Sequence, residues 1–377
     1  MSYLNIAFIN VKEDENNPFN QISKRYKTED LIIYDSDSNS LAAEIVFPFR
    51  FFLSLAIRMN KDFGLYISSI MSTLLIKRSY LKKYDIVFLN SWSLALPRVK
   101  NLIPIIYTPP RALTDRYEDV LKEIKGRSFL QTPFLMAGKI ILNVIYRISL
   151  SNSAHICSIS ETVRKRLYNY YRTDSEILHP SININRFKCN GYDNYFLYLS
   201  RITPAKRQNL AIEAFKGFYE RNKNFKMIIA GRVDDNKYSK EYLESLKAIS
   251  REYPVEFALF LSIGEVYDMY ANCYATLFAA KNEDFGLTPL ESMASCKPVI
   301  SLNEGGPRET IVDGVTGFLV EDVKGMTEKM IYLAANRDET KKIGEKGRAH
   351  VEKNFAQPAF FNRIDSVIKN QLKNAGK

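Results

Sequence analysis

The sequence is poor in the residues that form metal sites and disulfide frameworks. It holds four cysteines and three histidines among 377 residues, and no two cysteines have the short spacing of zinc ligands. They are scattered along the chain: Cys157, Cys189, Cys273, Cys296, His155, His179 and His350. We therefore expect neither zinc nor a disulfide, and chemistry that relies on carboxylates, hydroxyls and basic groups.

Long uncharged apolar runs are also missing. The two longest apolar segments, residues 45–57 and 134–150, are interrupted by Arg50 and by Lys139 and Arg147. Neither reaches the ~20 apolar residues that a helix needs to cross a bilayer. The chain starts with a strand-like apolar segment and no charged region before it, unlike a secretory signal peptide. These features predict a cytoplasmic protein.

Acidic residues are fewer than basic ones, mainly in the first half. The net charge is +11, and residues 1–190 hold 26 Lys and Arg against 17 Asp and Glu. A basic half can face nucleic acid, anionic lipid or a phosphorylated substrate, although solvated helix faces explain the same excess. No nucleic-acid motif accompanies the charge, so we expect no nucleic-acid partner.

One aromatic segment, residues 45–52, is centred on Arg50 and followed by six basic residues. These are Arg58, Lys61, Lys77, Arg78, Lys82 and Lys83. Such a segment is a candidate for peripheral contact with the inner face of a membrane through the basic N-terminal half. The favoured alternative is a buried helix that packs on the first sheet.

Short apolar segments alternate with helical ones in both halves, which is typical of parallel α/β proteins. Strands are predicted at residues 4–10, 31–34, 85–90, 103–108, 155–160, 176–179, 195–200, 226–230, 255–260, 275–279 and 298–302. A turn-rich stretch at 188–194 interrupts the alternation and is the best candidate linker. We predict two doubly wound Rossmann-like domains facing a cleft, residues 1–190 and 191–356. A C-terminal helix over 357–377 is expected to return to the first domain.

A polar segment, residues 282–291, follows the strand predicted at 275–279 and leads into a helix. Thr288 is a candidate N-cap with Pro289 at the first helical position. Glu291 then has the spacing of a capping box, so its role can be purely structural.

The same segment can also bind a ligand. Gly286 permits close approach of the backbone, and the N–H groups of residues 285–288 would point out of the helix N-terminus. Such a terminus suits a diphosphate. The carboxylates of Glu283 and Glu291 can accept hydrogen bonds from the hydroxyls of a sugar or a ribose.

Two further clusters follow predicted strands. Arg201 and Lys206 come after the strand at 195–200, where two cations would match a pyrophosphate leaving group. Ordinary surface bases near a helix start are the alternative interpretation. Gly305 and Gly306 allow close backbone approach or a tight turn.

Together these residues resemble the retaining glycosyltransferases of family 4, which have the GT-B fold. Arg201 and Lys206 match the Arg and Lys that follow the first strand of the family's second domain. The Glu-Asp-Phe-Gly-Leu string, with a second Glu eight residues after the first, is matched by 283–291. Further matches lie at 297–300, 305–309 and 313–319, so the likeness is nearly continuous over 195–320. Weaker matches lie at 107–111, 158–160 and 178–182.

The resemblance implies a retaining, metal-independent hexosyltransferase without a cofactor. Its donor would be a nucleotide sugar and its acceptor a glycan, a lipid-linked molecule or a glycoprotein. In this family the reaction is described as front-face substitution, in which the departing phosphate helps to take the acceptor proton.

The resemblance also assigns roles to residues. Arg201 and Lys206 would hold the diphosphate, Glu291 the ribose, and Glu283 the donor sugar, with Arg201, Lys206 and Glu283 as the catalytic residues. The full implied donor site is Arg201, Lys206, Glu283, Asp284, Phe285, Gly286, Leu287, Thr288 and Glu291. Tyr107 and Arg111 are candidates for contact with the sugar or acceptor.

The chain departs from the family pattern at three places. Tyr107 stands where the family often has His, Arg207 stands where Gly commonly follows the diphosphate Lys, and residues 11–18 hold no glycine. These departures leave open a sugar-nucleotide-binding partner that is non-catalytic or impaired toward an acceptor. A nucleotide-sugar epimerase or a phosphorylase of the same fold are further alternatives, although nothing in the sequence indicates the pyridoxal phosphate of a phosphorylase.

Overall fold

The computed structural model describes residues 6–12, 19, 22, 25–26, 29–34, 81–91, 99–115, 132–153, 155–235 and 237–374. The chain divides into two compact units, Met1–Pro180 with Phe361–Lys377, and Ser181–Phe360. Each unit contains a six-stranded parallel sheet. The predicted α/β class with two Rossmann-like units is confirmed.

The first sheet has the strand order β2-β1-β3-β4-β5-β6. Its strands are β1 (Ile6–Lys12), β2 (Glu29–Tyr34), β3 (Ile86–Ser91), β4 (Leu102–Ile106), β5 (Cys157–Ser158) and β6 (Glu176–Ile177). All five residues of β4 are buried, as an apolar strand of a parallel sheet covered on both faces requires. The described helices of this part are α1 (Thr132–Ser151) and α2 (Glu161–Tyr171). The N-terminus of α2 is capped by Ser160, whose hydroxyl accepts from the Val163 amide at 3.0 Å.

The last helix joins the first unit from residue 361 onward. Asp365 forms an ion pair with Arg25 at 2.8 Å, and Gln371 donates to the Lys100 carbonyl at 2.7 Å. The side chains of Phe360, Ile364 and Val367 are fully buried.

The second sheet has the order β12-β11-β10-β7-β8-β9. Its strands are β7 (Tyr195–Leu199), β8 (Lys226–Gly231), β9 (Val255–Leu259), β10 (Ala275–Phe278), β11 (Val299–Leu302) and β12 (Gly317–Val320). The order reverses between β7 and β10, where open α/β sheets bind ligands at the carboxyl ends of their strands.

The remaining helices are numbered in chain order. They are α3 (Gln208–Tyr219), α4 (Lys237–Ser250), α5 (Ile263–Asn272), α6 (Leu287–Ala294), α7 (Pro307–Thr310), α8 (Val323–Ala335), α9 (Arg337–Asn354) and α10 (Gln357–Asn374). None of the helices in the described ranges has both the length and the apolar character of a membrane span.

An aromatic cluster fills the core beside the second sheet. The Phe196 ring lies 5.0 Å from that of Phe218, edge to face, and 5.5 Å from that of Phe225. Tyr274 meets Phe225 at 5.0 Å, again edge to face. Helix α3 forms because Ala211, Ala214, Phe215 and Phe218 recur on one face at helical spacing, and that face is buried here.

The turn-rich stretch at 188–194 lies inside the second unit, so its prediction as a linker is wrong. A disulfide joins Cys189 to Cys296 with their Cα atoms 5.3 Å apart, which also corrects the expectation of no disulfide. The two cysteines are separated by 107 residues, so their spacing gave no signal. A hydrogen bond also attaches this turn to the end of α5, since the Asp193 amide donates to the Asn272 carbonyl at 2.8 Å.

Candidate functional site

The loops that follow β7 and β10 are joined at the point where the strand order reverses. The Lys281 amide donates to the Ala205 carbonyl at 2.9 Å. The buried Tyr198 hydroxyl accepts from the Ala279 amide at 3.0 Å and donates to the Lys206 carbonyl. Two loops that are far apart in sequence are thereby held in one fixed arrangement.

Lys206 and Glu283 face each other across these loops. The Lys206 Nζ lies 2.5 Å from the Glu283 Oε2, and the side chains are 19% and 27% exposed. The pair is therefore reachable from solvent while its geometry is fixed. A cation and a carboxylate in contact can serve neighbouring parts of one polar ligand, an anionic group and a hydroxyl respectively.

Helix α6 begins at Leu287, with Gly286 as its N-cap at a φ of 85°. The predicted N-cap at Thr288 is therefore wrong, because the left-handed glycine lets the chain enter the helix earlier. Glycine has no side chain that could accept hydrogen bonds from the amides of the first turn. The positive end of α6 is thus suited to an external anion.

Glu291 is held by a tyrosine instead of capping its own helix. The Tyr270 hydroxyl donates to the Glu291 Oε2 at 2.8 Å. Burial raises the pKa of Glu291, and the hydrogen bond from Tyr270 opposes that effect. The capping-box alternative is wrong because the first turn of α6 contains no acidic residue.

The other predicted donor-site residues surround the start of α6. Phe285 and Gly286 are buried, Asp284 and Thr288 are partly exposed, and Leu287 is exposed. The Phe285 ring lies 6.0 Å from that of Phe355 and so belongs to the core.

The diglycine of the next loop supports this segment. The Gly306 amide donates to the Glu283 carbonyl at 2.8 Å. A Cβ at Gly305 would lie 2.4 Å from the Glu283 carbonyl oxygen, and one at Gly306 would lie 2.3 Å from the Phe285 Cα. The backbones therefore approach so closely that a side chain at either glycine would displace the Glu283 loop.

Arg201 follows β7 but is not paired with Glu283. Its Nη1 lies 3.8 Å from the Asp234 Oδ2, and its side chain is 66% exposed. Its carbonyl accepts from the Gln208 side chain at 2.8 Å, which fixes its backbone. The exposed guanidinium can therefore reorient toward an anion at little energetic expense.

Arg207 connects the same loops, and sequence reasoning did not assign it to the site. Its Nε donates to the Ala279 carbonyl at 2.7 Å, and its Nη2 forms an ion pair with the Glu304 Oε1 at 2.8 Å. Its φ is 51°, in the left-handed region. In the sequence, the one feature that could have pointed to Arg207 was that it stands where the family usually has glycine.

Tyr107 and Arg111 lie in the first unit, after β4. The Tyr107 ring packs edge to face on Phe19 at 5.4 Å. Arg111 pairs with Asp115 at 2.9 Å, while Arg166 Nε lies 3.5 Å from the same carboxylate. Burial works to raise the pKa of Asp115, but these two cations lower it overall. The glycine-free segment 11–18 lies mostly outside the described residues.

Metal ligands do not gather in the part of the chain that the structure describes. No group of three or more His, Cys, Asp or Glu side chains there is arranged to hold an ion. The loops after β7 and β10 carry cations, carboxylates and the N-terminus of α6.

Comparison with known proteins gives one family match. The model of the family "Glycosyl transferases group 1" matches residues 150–350. The alpha-1,3/1,6-mannosyltransferase ALG2 of Dictyostelium discoideum is 25% identical over 334 residues, covering 76% of each chain. A trehalose synthase of Pyrococcus horikoshii is 31% identical over 192 residues, covering 49% of this chain and 46% of the relative.

Solved structures with the same fold extend over nearly the whole chain. HepE of Anabaena, in complex with UDP and glucose, superposes with a TM-score of 0.66 at 15% identity and covers 97% of this chain and 99% of its own. Sucrose-phosphate synthase of Thermosynechococcus elongatus gives a TM-score of 0.67 at 15% identity, with coverage of 99% and 100%. These likenesses identify the GT-B fold.

Proposed function

Because the chain belongs to the glycosyl transferases group 1 family, we propose that its second unit binds a nucleotide-sugar donor. The enzymes of this family are retaining glycosyltransferases of family 4. In our proposal the sugar passes from the donor to a glycan, lipid-linked or glycoprotein acceptor. One observation carries the proposal. The Lys206–Glu283 pair, the exposed Arg201 and the N-terminus of α6 all follow strands at the carboxyl edge of one sheet.

The cations and the helix terminus would receive the donor diphosphate. As the bond between the sugar and the phosphate oxygen breaks, negative charge builds on the leaving diphosphate and the sugar gains oxocarbenium character. Lys206, Arg201 and the first-turn amides of α6 would stabilise that charge. The acceptor hydroxyl forms the new glycosidic bond on the same face, and its proton goes to the departing phosphate.

Glu283 would orient the donor sugar. An incoming diphosphate competes for Lys206, which in this structure lies 2.5 Å from the Glu283 carboxylate. Release of that carboxylate makes it available to accept hydrogen bonds from sugar hydroxyls. Glu291, whose orientation the Tyr270 hydroxyl fixes, would accept from the ribose hydroxyls.

The test is a panel of sugar nucleotides assayed for transfer and for slow donor hydrolysis. Lys206→Ala and Glu283→Ala should each lower kcat by at least about 10²-fold, the effect typical of losing one transition-state contact. Lys226→Ala is the matched control, because Lys226 pairs with Glu256 at 3.0 Å and is the first residue of β8, at the amino edge of the sheet. Wild-type turnover in Lys206→Ala would remove that residue from the site.

Two outcomes of the same assay separate the alternatives. Donor binding with neither hydrolysis nor transfer supports the non-catalytic partner. A chelator should leave the rate unchanged, and a strict requirement for an added divalent ion would contradict the metal-independent mechanism.

We also propose a peripheral contact between the first unit and anionic lipid. Helix α1 exposes Ile140, Ile141, Val144 and Ile148 on one side, each 52–65% exposed, with the exposed Arg147 on the same side. Residues 132–151 contain no Asp or Glu, so this face complements a negatively charged surface. The segment predicted for such contact, 45–52, lies outside the described residues.

Flotation with vesicles tests this contact. The protein should float with vesicles that contain anionic lipid and stay behind with neutral ones. Ile140→Glu combined with Val144→Glu should abolish flotation. The control pair, Val312→Glu with Val315→Glu, changes similarly exposed valines of the second unit and should not. Failure of the wild type to float would refute the lipid contact.

A further inference from the structure

We propose that Arg207 is a positioning residue that fastens the loops of the donor site to one another, an inference that rests on the proposed function. We assign Arg207 no contact with the donor. Arg207 acts through Glu304 and the loop that carries Glu283. Its backbone has a conformation that glycine adopts more easily.

The backbone of Arg207 indicates that its side chain is needed. Its φ of 51° places it between the short helical turn Pro204–Lys206 and the start of α3. Glycine takes this conformation without a steric penalty, whereas a residue with a Cβ is disfavoured there. A strained residue persists where its surroundings hold it in place, and such residues concentrate at functional sites.

The side chain of Arg207 reaches two loops other than its own. Its Nε donates to the Ala279 carbonyl at the end of β10, at 2.7 Å. Its Nη2 lies 2.8 Å from the Oε1 of Glu304, in the loop after β11. One planar guanidinium therefore links all three strand-end loops of the site, a geometry that lysine cannot reproduce with a single nitrogen.

The connection continues to the catalytic pair. The Glu304 Oε2 accepts from the Asn282 amide at 3.3 Å, and Asn282 directly precedes Glu283. Glu283 in turn contacts Lys206, which directly precedes Arg207. The contacts form a closed ring, Arg207–Glu304–Asn282–Glu283–Lys206, in which the proposed function assigns contact with the donor to Glu283 and Lys206.

The test is Arg207→Gly, which removes the guanidinium and suits the backbone. We expect kcat/KM for the donor to fall about 10- to 100-fold, as a misplaced site predicts. Hydrogen–deuterium exchange of residues 279–286 should become faster. Arg207→Lys should recover part of both losses, because it can reach one of the two partners.

The control is Arg172→Gly. Arg172 is also a left-handed arginine, with a φ of 55°, and it ends α2 in the first unit. This variant should keep wild-type kinetics and wild-type exchange at 279–286. Glu304→Gln should lower kcat/KM as well, and its combination with Arg207→Gly should lower it by less than the product of the two single effects.

The outcomes separate this inference from the proposed function. If the wild type turns over no sugar nucleotide while Arg207→Gly still speeds exchange at 279–286, the proposed function fails and the fastening role stands. If Arg207→Gly keeps wild-type kcat and KM in an active enzyme, or wild-type exchange in that loop, the positioning role is refuted.

Discussion

Replacing Gly306 by alanine should perturb the proposed donor site through the backbone of a neighbouring loop. Gly306 has a φ of −59°, so alanine fits its local conformation. The added Cβ would nevertheless lie 2.3 Å from both the Cα and the carbonyl oxygen of Phe285. Since non-bonded carbon atoms rest at about 3.5–4.0 Å, one of the two loops must move by roughly 1 Å.

The magnitude follows from two opposing effects. Overpacking of this kind costs about 1–3 kcal/mol. Replacing glycine by alanine at a compatible φ lowers the conformational entropy of the unfolded chain, which stabilises the folded state by about 0.4–1 kcal/mol. We expect a net loss of roughly 1 kcal/mol, and at most about 2.6 kcal/mol, in the free energy of unfolding. A shift of the segment that carries Glu283 should lower kcat/KM for the donor about 10²-fold.

Urea unfolding and donor kinetics measure both effects. Gly264→Ala is the matched control, because its Cβ would meet no atom within 4 Å at the start of α5. That variant should be as stable as the wild type or slightly more stable, with unchanged kinetics. If Gly306→Ala also keeps wild-type stability and kcat/KM, the close support of the Glu283 loop by the diglycine is refuted.

Three further predictions concern Lys297, the disulfide and Tyr198. Burial lowers the pKa of Lys297 from 10.5 to about 8, so between these values the unfolded chain binds more protons than the folded one. The free energy of unfolding should therefore rise between pH 8 and 10.5 by up to about 3 kcal/mol relative to Lys297→Met, and parallel pH curves from urea titrations would contradict this. Alkylation in denaturant should label two thiols, Cys157 and Cys273, without reductant and four with it; four labels in both samples would exclude the disulfide. Tyr198→Phe leaves the Ala279 amide and the Lys206 carbonyl without the tyrosine hydroxyl, so it should lower the free energy of unfolding by about 1–3 kcal/mol, and no loss would show that these groups find other partners.

The sequence determined the fold class and most strands of the second unit. Residues 195–200, 226–230 and 275–279 were predicted as strands and correspond to β7, β8 and β10. These segments are runs of buried apolar residues between helices of regular period, so local pattern carries the information. Strand β12 is as short as β10 and β11, but it was missed because it begins with a glycine, which weakens the strand pattern. The polar segments that follow β7 and β10 were also identified from the sequence, because residue type and spacing alone define them.

Only the tertiary structure decided which contacts these polar segments make. The N-cap of α6 is Gly286 and not the predicted Thr288, because a glycine can enter the helix in a left-handed conformation that the capping pattern does not reveal. Glu291 was a candidate for capping its own helix, but in the structure it accepts a hydrogen bond from Tyr270, 21 residues earlier. The contacts of Arg207 and the Cys189–Cys296 bond join positions 72 to 107 residues apart. Helical and strand periodicity describe neighbours within a few positions, so contacts between loops of different strands become defined only when the sheet brings those loops together.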